Sequence, residues 1–206
     1  MRNYLVRTPW WLRALYPGFI WRKPSYEKVV YLTFDDGPTP EITAWTLDQL
    51  KRYNAKGTFF VIGKNVAAHP GIFRQIVDAE HSIGNHTYNH LNGWNTSTEH
   101  YLRNIEECAQ IAPSRLFRPP YGRIKKYQAR QLPPSYKIIM WDVLSGDFDT
   151  QIDGEQCYRN VIRHVKPGSI IVFHDSVKAW PRLQVALPKI LAYLKEKGFR
   201  MEVLKT

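Results

Sequence analysis

The chain has 206 residues, 44% hydrophobic and 23% charged, which is ordinary for a globular protein and enough for one domain with a sizeable core. Its net charge of +11 points to an anionic partner, but the basic residues are scattered, and no RNA-recognition signature, zinc finger or basic helix supports specific nucleic-acid binding. No apolar run approaches the ~20 residues of a membrane span.

Residues 1–27 stand apart, with Trp10, Trp11 and Trp21 set among arginines. They are expected to pack on the domain formed by residues 28–206 and to cover one end of it. Their prolines and the lack of a sustained helical pattern argue against an interfacial membrane anchor. Arg13, Pro17, Arg22, Lys23 and Pro24 interrupt the apolar letters and no cleavage site follows, so no secretory signal is expected. A cytoplasmic or cell-envelope location and a monomeric state are the corresponding expectations.

From residue 28 onward, short β-rich runs alternate with helical patterns. Strands are predicted at Val29–Phe34, Thr58–Ile62, Ser82–Asn85, Arg115–Phe117, Lys137–Trp141, Ser169–Phe173 and Arg200–Leu204. The first helix is predicted to open with Thr39 as N-cap, Pro40 at the first position and Glu41 in the first turn. A later one opens with Thr96-Ser97-Thr98-Glu99, read as a capping box, and carries Tyr101, Ile105, Cys108 and Ala112 on one stripe. The last runs through Leu183, Leu187, Ile190 and Leu194 to Gly198, with Pro188 expected to kink or split it. This alternation predicts an α/β fold with a parallel sheet in a single domain, closed or nearly closed into a barrel, with a doubly wound open sheet as the alternative. Cys108 and Cys157 fall on helical segments and form no C-x-x-C pair, so core packing is their expected role.

The chemistry-bearing residues follow strand ends. "YLTFDDGP" places Asp35 and Asp36 side by side, where like charges raise one another's pKa. Neighbours at a strand end point different ways, so one acid can serve a metal while the other moves protons. In "GNHTYNH", His86 and His90 are four apart and are expected to share the face of a helical turn. Two His and one carboxylate leave a position for water, as in catalytic zinc sites, and ferrous iron or another divalent ion fits the same donors. In "LFRPPYG", Arg118 precedes two prolines and can orient a carboxylate. "MWDVLSGDFD" holds Asp142, Asp147 and Asp149, and in "GSIIVFHDS" His174 ends an apolar run. Trp94 and Trp180 follow two of these stretches and suit either sugar stacking or loop anchoring.

Together, "TFDDGP", "HTYNH", "RPPYG", "WDVLSGDF" and "VFHD", in this order over roughly residues 28–204, resemble the NodB-type polysaccharide deacetylases of carbohydrate esterase family four. The resemblance implies a distorted (β/α) barrel of about seven parallel strands. It implies one divalent ion, usually zinc, with cobalt, nickel, manganese or ferrous iron fitting the same ligands. It also implies hydrolysis of N-acetyl or O-acetyl groups on a glycan. Carried onto this chain, Asp36, His86 and His90 match the metal ligands and Asp35 the general base. Arg118 matches the arginine that orients that base, Asp147 the acid that tunes the catalytic histidine, and His174 that histidine. Tyr121 matches the residue whose backbone N–H faces the oxyanion, beside Pro119 on the substrate side. Phe148 and Val172 match the apolar wall around the acetyl methyl. Commoner members carry Asp in place of Leu144, Trp in place of Phe148 and Leu in place of Val172, so the acyl pocket is expected to differ in shape. Two other readings keep the same scaffold: an amide hydrolase or deformylase on another sugar-linked or small substrate, and an inactive glycan-binding homologue.

Overall fold

The structure, a computed structural model, describes residues 4–205. In chain order the elements are α1 (Trp10–Leu15), β1 (Val29–Asp35), α2 (Ile42–Arg52), β2 (Gly57–Val61), α3 (Gly63–Ala68), α4 (Pro70–Asp78), β3 (Ser82–Asn85) and α5 (Thr98–Ile111). There follow β4 (Leu116–Phe117), α6 (Lys126–Gln131), β5 (Lys137–Ile138), β6 (Val143–Leu144), α7 (Gly154–Ile162), β7 (Ile170–His174), α8 (Trp180–Glu196) and β8 (Arg200–Met201). All strand ladders are parallel, in the order β5-β4-β3-β2-β1-β7-β6, with β8 paired to the start of β1. This is the distorted (β/α) barrel expected from the sequence. The predicted strands are all present, with shifts of a few residues at their ends, and β6 is an addition inside the "WDVLSGDF" stretch.

β1 is the hub, buried along its whole length because both faces are covered. Side chains alternate across it. Val30, Leu32 and Phe34 join Phe59, Ile171 and Phe173 and the helical Leu183, Leu187 and Ile190 in the outer core. Val29 and Tyr31 join Phe60, Leu116, Ile139 and Ile170 in an inner one. The same alternation puts Thr33 and Asp35 on the inner side, at the end where β1 leaves the sheet.

Among the described residues no ladder joins β5 to β6, so the sheet stays open there. The N-terminal segment lies in that gap. The Ile20 N–H donates to Ile138 O and Ile20 O accepts from the Met140 N–H, both at 2.8 Å. Leu144 N–H donates to Val6 O at 2.8 Å, and Lys23 N–H to Gly168 O at 2.9 Å. Arg13 pairs with the buried Asp142, which also accepts from the Ser169 hydroxyl at 2.7 Å. No helix among the described residues is long and apolar enough to cross a membrane.

Several local expectations change. α2 starts at Ile42 rather than around Thr39: Glu41 has φ of +62°, a left-handed conformation that cannot belong to the helix, so the helix begins after it. The Thr39 N–H instead donates to the Thr43 hydroxyl at 2.8 Å. No capping box forms at Thr96–Glu99. Ser97 is the N-cap and its hydroxyl accepts from His100 N–H, so Glu99 falls one position short of the reciprocal contact. Pro188 does not split α8, which stays one helix. The carbonyl four residues before it belongs to Gln184, an exposed position where water can take the missing bond. Cys108 and Cys157 are buried and free, as their helical positions suggested.

Candidate active site

The site gathers where β1, β3, β4 and β7 release the chain. Asp35 ends β1 on the inner side and is 4% exposed. Its Oδ1 accepts from the Arg118 guanidinium at 2.7 Å. Arg118 is fully buried, and its other N–H groups donate to Thr33 Oγ1, Ile139 O and Met140 O at 2.7–3.2 Å. Burial lowers the Arg118 pKa and Asp35 opposes that. The guanidinium stays charged, since arginine does not deprotonate in proteins.

Asp36, the next residue, turns out of the strand with φ of +80°. The turn is held by Asp175, whose carboxyl oxygens accept from Gly37 N–H at 3.2 Å and from the Thr43 hydroxyl. A Cβ on residue 37 would lie 2.1 Å from Asp175 Oδ2, so only glycine allows this approach. Burial pushes the Asp175 carboxyl up to about 8, against the Thr43 hydrogen bond.

His86 and His90 do reach Asp36, but not along a helix. Residues 86–90 form a loop with positive φ at Thr87 (+64°) and His90 (+57°). Thr87 is held by the Asn85 side chain at 2.9 Å. His86 Nε2 lies 3.8 Å and His90 Nε2 3.2 Å from Asp36 Oδ1, and the candidate ligand atoms lie within 4.8 Å of one another. The helical expectation failed because i, i+4 spacing is also compatible with a loop that folds back on itself. The donor set suits a divalent cation. His86 Nδ1 lies 2.7 Å from Arg118 O; a carbonyl only accepts, so Nδ1 carries the proton and the Nε2 lone pair faces Asp36. Burial holds His86 down at about 4, with the carboxylates of Asp35 and Asp36 pulling the other way, so the ring is neutral at pH 7. Burial alone would raise Asp36, but the His90 hydrogen bond and the nearby His174 and His86 hold it well below the usual carboxylate range.

On the other side, His174 ends β7 in direct register with Asp35. Its Nδ1 lies 2.7 Å from Asp147 Oδ1, and its backbone N–H donates to Asp147 Oδ2 at 2.8 Å. Burial disfavours the charged ring, yet the buried Asp147 carboxylate outweighs it and raises the His174 pKa to about 9. The Phe148 ring meets the His174 ring edge-on at 5.3 Å. Val172, two residues back on the same face of β7, is 1% exposed and pairs with Leu144. Pro119 is buried behind Arg118, and Tyr121 sits in a 3-10 turn with φ of +60°, its ring 4.6 Å from that of His90.

Not every candidate converges. Of the acids in "MWDVLSGDFD", only Asp147 reaches His174: Asp142 serves Arg13 and Ser169, and Asp149 accepts from the Tyr4 hydroxyl at 2.8 Å. Trp180 packs edge-on against Trp45 at 4.9 Å in the outer helical layer, so it is an anchor and not a cleft residue. Trp94 is 55% exposed beside the Tyr121 loop. Thr33 and Asp175 carried no sequence signal as supports, because their partners Arg118 and Gly37 are distant in the chain.

Residues 22–133 match the family model described as polysaccharide deacetylase. A peptidoglycan-N-acetylglucosamine deacetylase of Bacillus cereus is 35% identical over 191 residues, covering 89% of this chain and 90% of the relative. A chitooligosaccharide deacetylase of Azorhizobium caulinodans is 30% identical over 197 residues, covering 85% of this chain and 92% of that one. The crystal structure of the Bc1960 peptidoglycan N-acetylglucosamine deacetylase, in complex with a naphthyl-bearing N-hydroxybenzamide, superposes with a TM-score of 0.84 at 32% identity, covering 96% and 95% of the two chains. Deacetylases of this kind use a divalent metal, and Asp36, His86 and His90 offer a donor set for one. With this fold, this order of motifs and these relatives, the chain belongs to the polysaccharide deacetylase family and is a hydrolase of that class.

Proposed function

We propose that this chain removes N-acetyl groups from an N-acetylated glycan, of the kind named for its relatives, and that its cation is zinc. The observation that carries the reading is the placement of Asp35 and His174 as register partners on adjacent strands, beside the Asp36–His86–His90 cluster. Asp35 is paired with the Arg118 guanidinium and His174 with the Asp147 carboxylate, so a base and an acid face one reacting centre.

Asp36, His86 and His90 would hold the zinc, which would supply Lewis acidity for the attacking water and the acetyl carbonyl. Asp35 takes the proton of the attacking water, with Arg118 setting its orientation. The Tyr121 N–H, presented by the left-handed turn, donates to the oxygen that becomes negative. Phe148 and Val172 keep the acetyl methyl out of water. His174 gives its proton to the departing nitrogen, without which an amine leaves poorly. Acetate and a free amino sugar result.

The reading sets a pH dependence. His174 acts as an acid only while protonated, and against burial Asp147 holds its pKa up at about 9, so the acid form is lost in the window around that value. The kcat on amide substrates is therefore expected to fall as pH rises through that window. An ester substrate, whose leaving group needs less protonation, should show a shallower fall. Equal limbs on amide and ester would remove His174 from the acid role. His86→Ala is expected to weaken metal affinity by about 10-fold or more, and so to lower the metal retained after dialysis against a chelator, as losing a ligand costs at least what losing its outer partner does. Elemental analysis with an unchanged metal-to-protein ratio would remove His86 from the ligand set. The test of the reaction itself is acetate release from a panel of acetylated glycans, before and after chelation and after zinc is restored. Release that is insensitive to a chelator, or absent on every glycan, would overturn the proposal.

A further inference from the structure

Next to the active site runs a groove of about 350 Å³, within the about 300–1,000 Å³ usual for small-ligand sites. Tyr4 and Leu12 of the N-terminal segment line one part of it; Trp94, Tyr121 and Arg123 line another; Leu144, 6% exposed, lies at its base. Residues that line it meet residues of the site at three places. The Tyr121 ring packs on His90, and Leu144 pairs with Val172, two residues before His174. The Tyr4 ring also packs at 5.0 Å on Phe148, which packs on His174.

The lining is mostly aromatic and aliphatic, and Arg123 is the charged residue in it. Its guanidinium lies 5.1 Å from the centre of the Trp94 ring. Among the described residues no carboxylate pairs with it. The two loops are tied together: Gly93 N–H donates to Arg123 O at 3.2 Å, and Trp94 Nε1–H to Ile124 O at 3.4 Å. A stacked arginine keeps its planar fork presented to an incoming group. That fork matches a carboxylate in two parallel hydrogen bonds. One cation balances a monoanion; a phosphate dianion would leave charge uncompensated in an apolar groove. The chain's net charge of +11 favours an anionic glycan over a neutral one at longer range.

We propose that this groove binds the sugar unit next to the one being deacetylated, and that Arg123 reads a carboxylate on that unit. The inference rests on the deacetylase reading above and names its substrate class: a glycan in which the acetylated sugar is flanked by a carboxylate-bearing one. Exposed aromatic faces at Trp94 and Tyr121 suit the C–H faces of a pyranose, and the N-terminal segment supplies the opposite wall.

The test compares one N-acetylated oligosaccharide whose flanking sugar carries a free carboxylate with the same oligosaccharide as its methyl ester. The parent enzyme is expected to prefer the acid by about tenfold in kcat/KM, through KM, the size of a charge-assisted hydrogen-bond pair. Arg123→Gln should abolish that preference, and Arg123→Lys should restore part of it, with charge but without the fork. A parent enzyme that treats both forms alike, or an Arg123→Gln variant that keeps the preference, overturns the proposal. Calorimetric binding of the corresponding amino-sugar products, acid against ester, reads the subsite without turnover. If neither oligosaccharide releases acetate, the deacetylase reading fails, while a binding difference that vanishes in Arg123→Gln still supports the subsite and its absence still removes it.

Discussion

Asp35→Asn is expected to lower kcat by about 10²–10⁴-fold, the usual contribution of a positioned general base, while metal content stays at the parent level. On the proposed reading the two effects separate because adjacent residues have different tasks. Asp36 turns outward at φ +80° toward His86 and His90, whereas Asp35 stays on the inner side of β1 beneath Arg118. Asparagine keeps the shape and can still accept from Arg118 through its amide oxygen, but it cannot take a proton at neutral pH. Near-parental turnover would take Asp35 out of the mechanism. Loss of metal in step with loss of rate would show that the acids share one task.

Arg118→Met is expected to destabilise the fold by about 3–5 kcal/mol, as breaking one side of a buried ion pair does. Methionine fills much of the volume, so the loss is electrostatic and not a cavity. It leaves the Asp35 carboxylate buried without its counter-charge and removes the donor to Thr33, Ile139 and Met140. It also frees the orientation of Asp35, so activity should fall together with stability. Arg118→Lys should recover only part of either, because a single ammonium cannot span four acceptors in a planar fork. Denaturant unfolding of the methionine variant within about 1 kcal/mol of the parent, the size of an ordinary substitution, would mean that the pair carries no structural role. Asp35→Asn, which keeps a hydrogen-bond acceptor beside the guanidinium, should lie between the two in stability.

How far the residues alone carried the reading depends on the range of each interaction. Alternating β-rich and helical patterns predicted a parallel α/β barrel because side-chain period is local, and the β1–β7 frame matches it. The order of the short motifs carried the resemblance, and with it the ligand set and the assigned roles. Local reasoning failed where distant partners intervene. His86 and His90 share a cation-sized space through a left-handed loop and not a helical turn. The first turn of α2 is displaced by the Thr43–Asp175 contact and by Glu41. Trp94 and Trp180 are equivalent by sequence, yet one is exposed beside the cleft and the other packs on Trp45.

By itself, then, the sequence determined the class of fold, the inventory of reactive groups and the strand ends that bear them, because those follow from periodicity, backbone chemistry and residue type. Tertiary structure alone decided that Arg118 is fully buried, that Asp147 and not Asp142 or Asp149 meets His174, and that residues 4–24 fill the gap between β5 and β6 and wall a groove. Each of these is a contact between segments far apart in the chain, and only the closing of the sheet brings such segments within the few ångströms over which hydrogen bonds and ion pairs act.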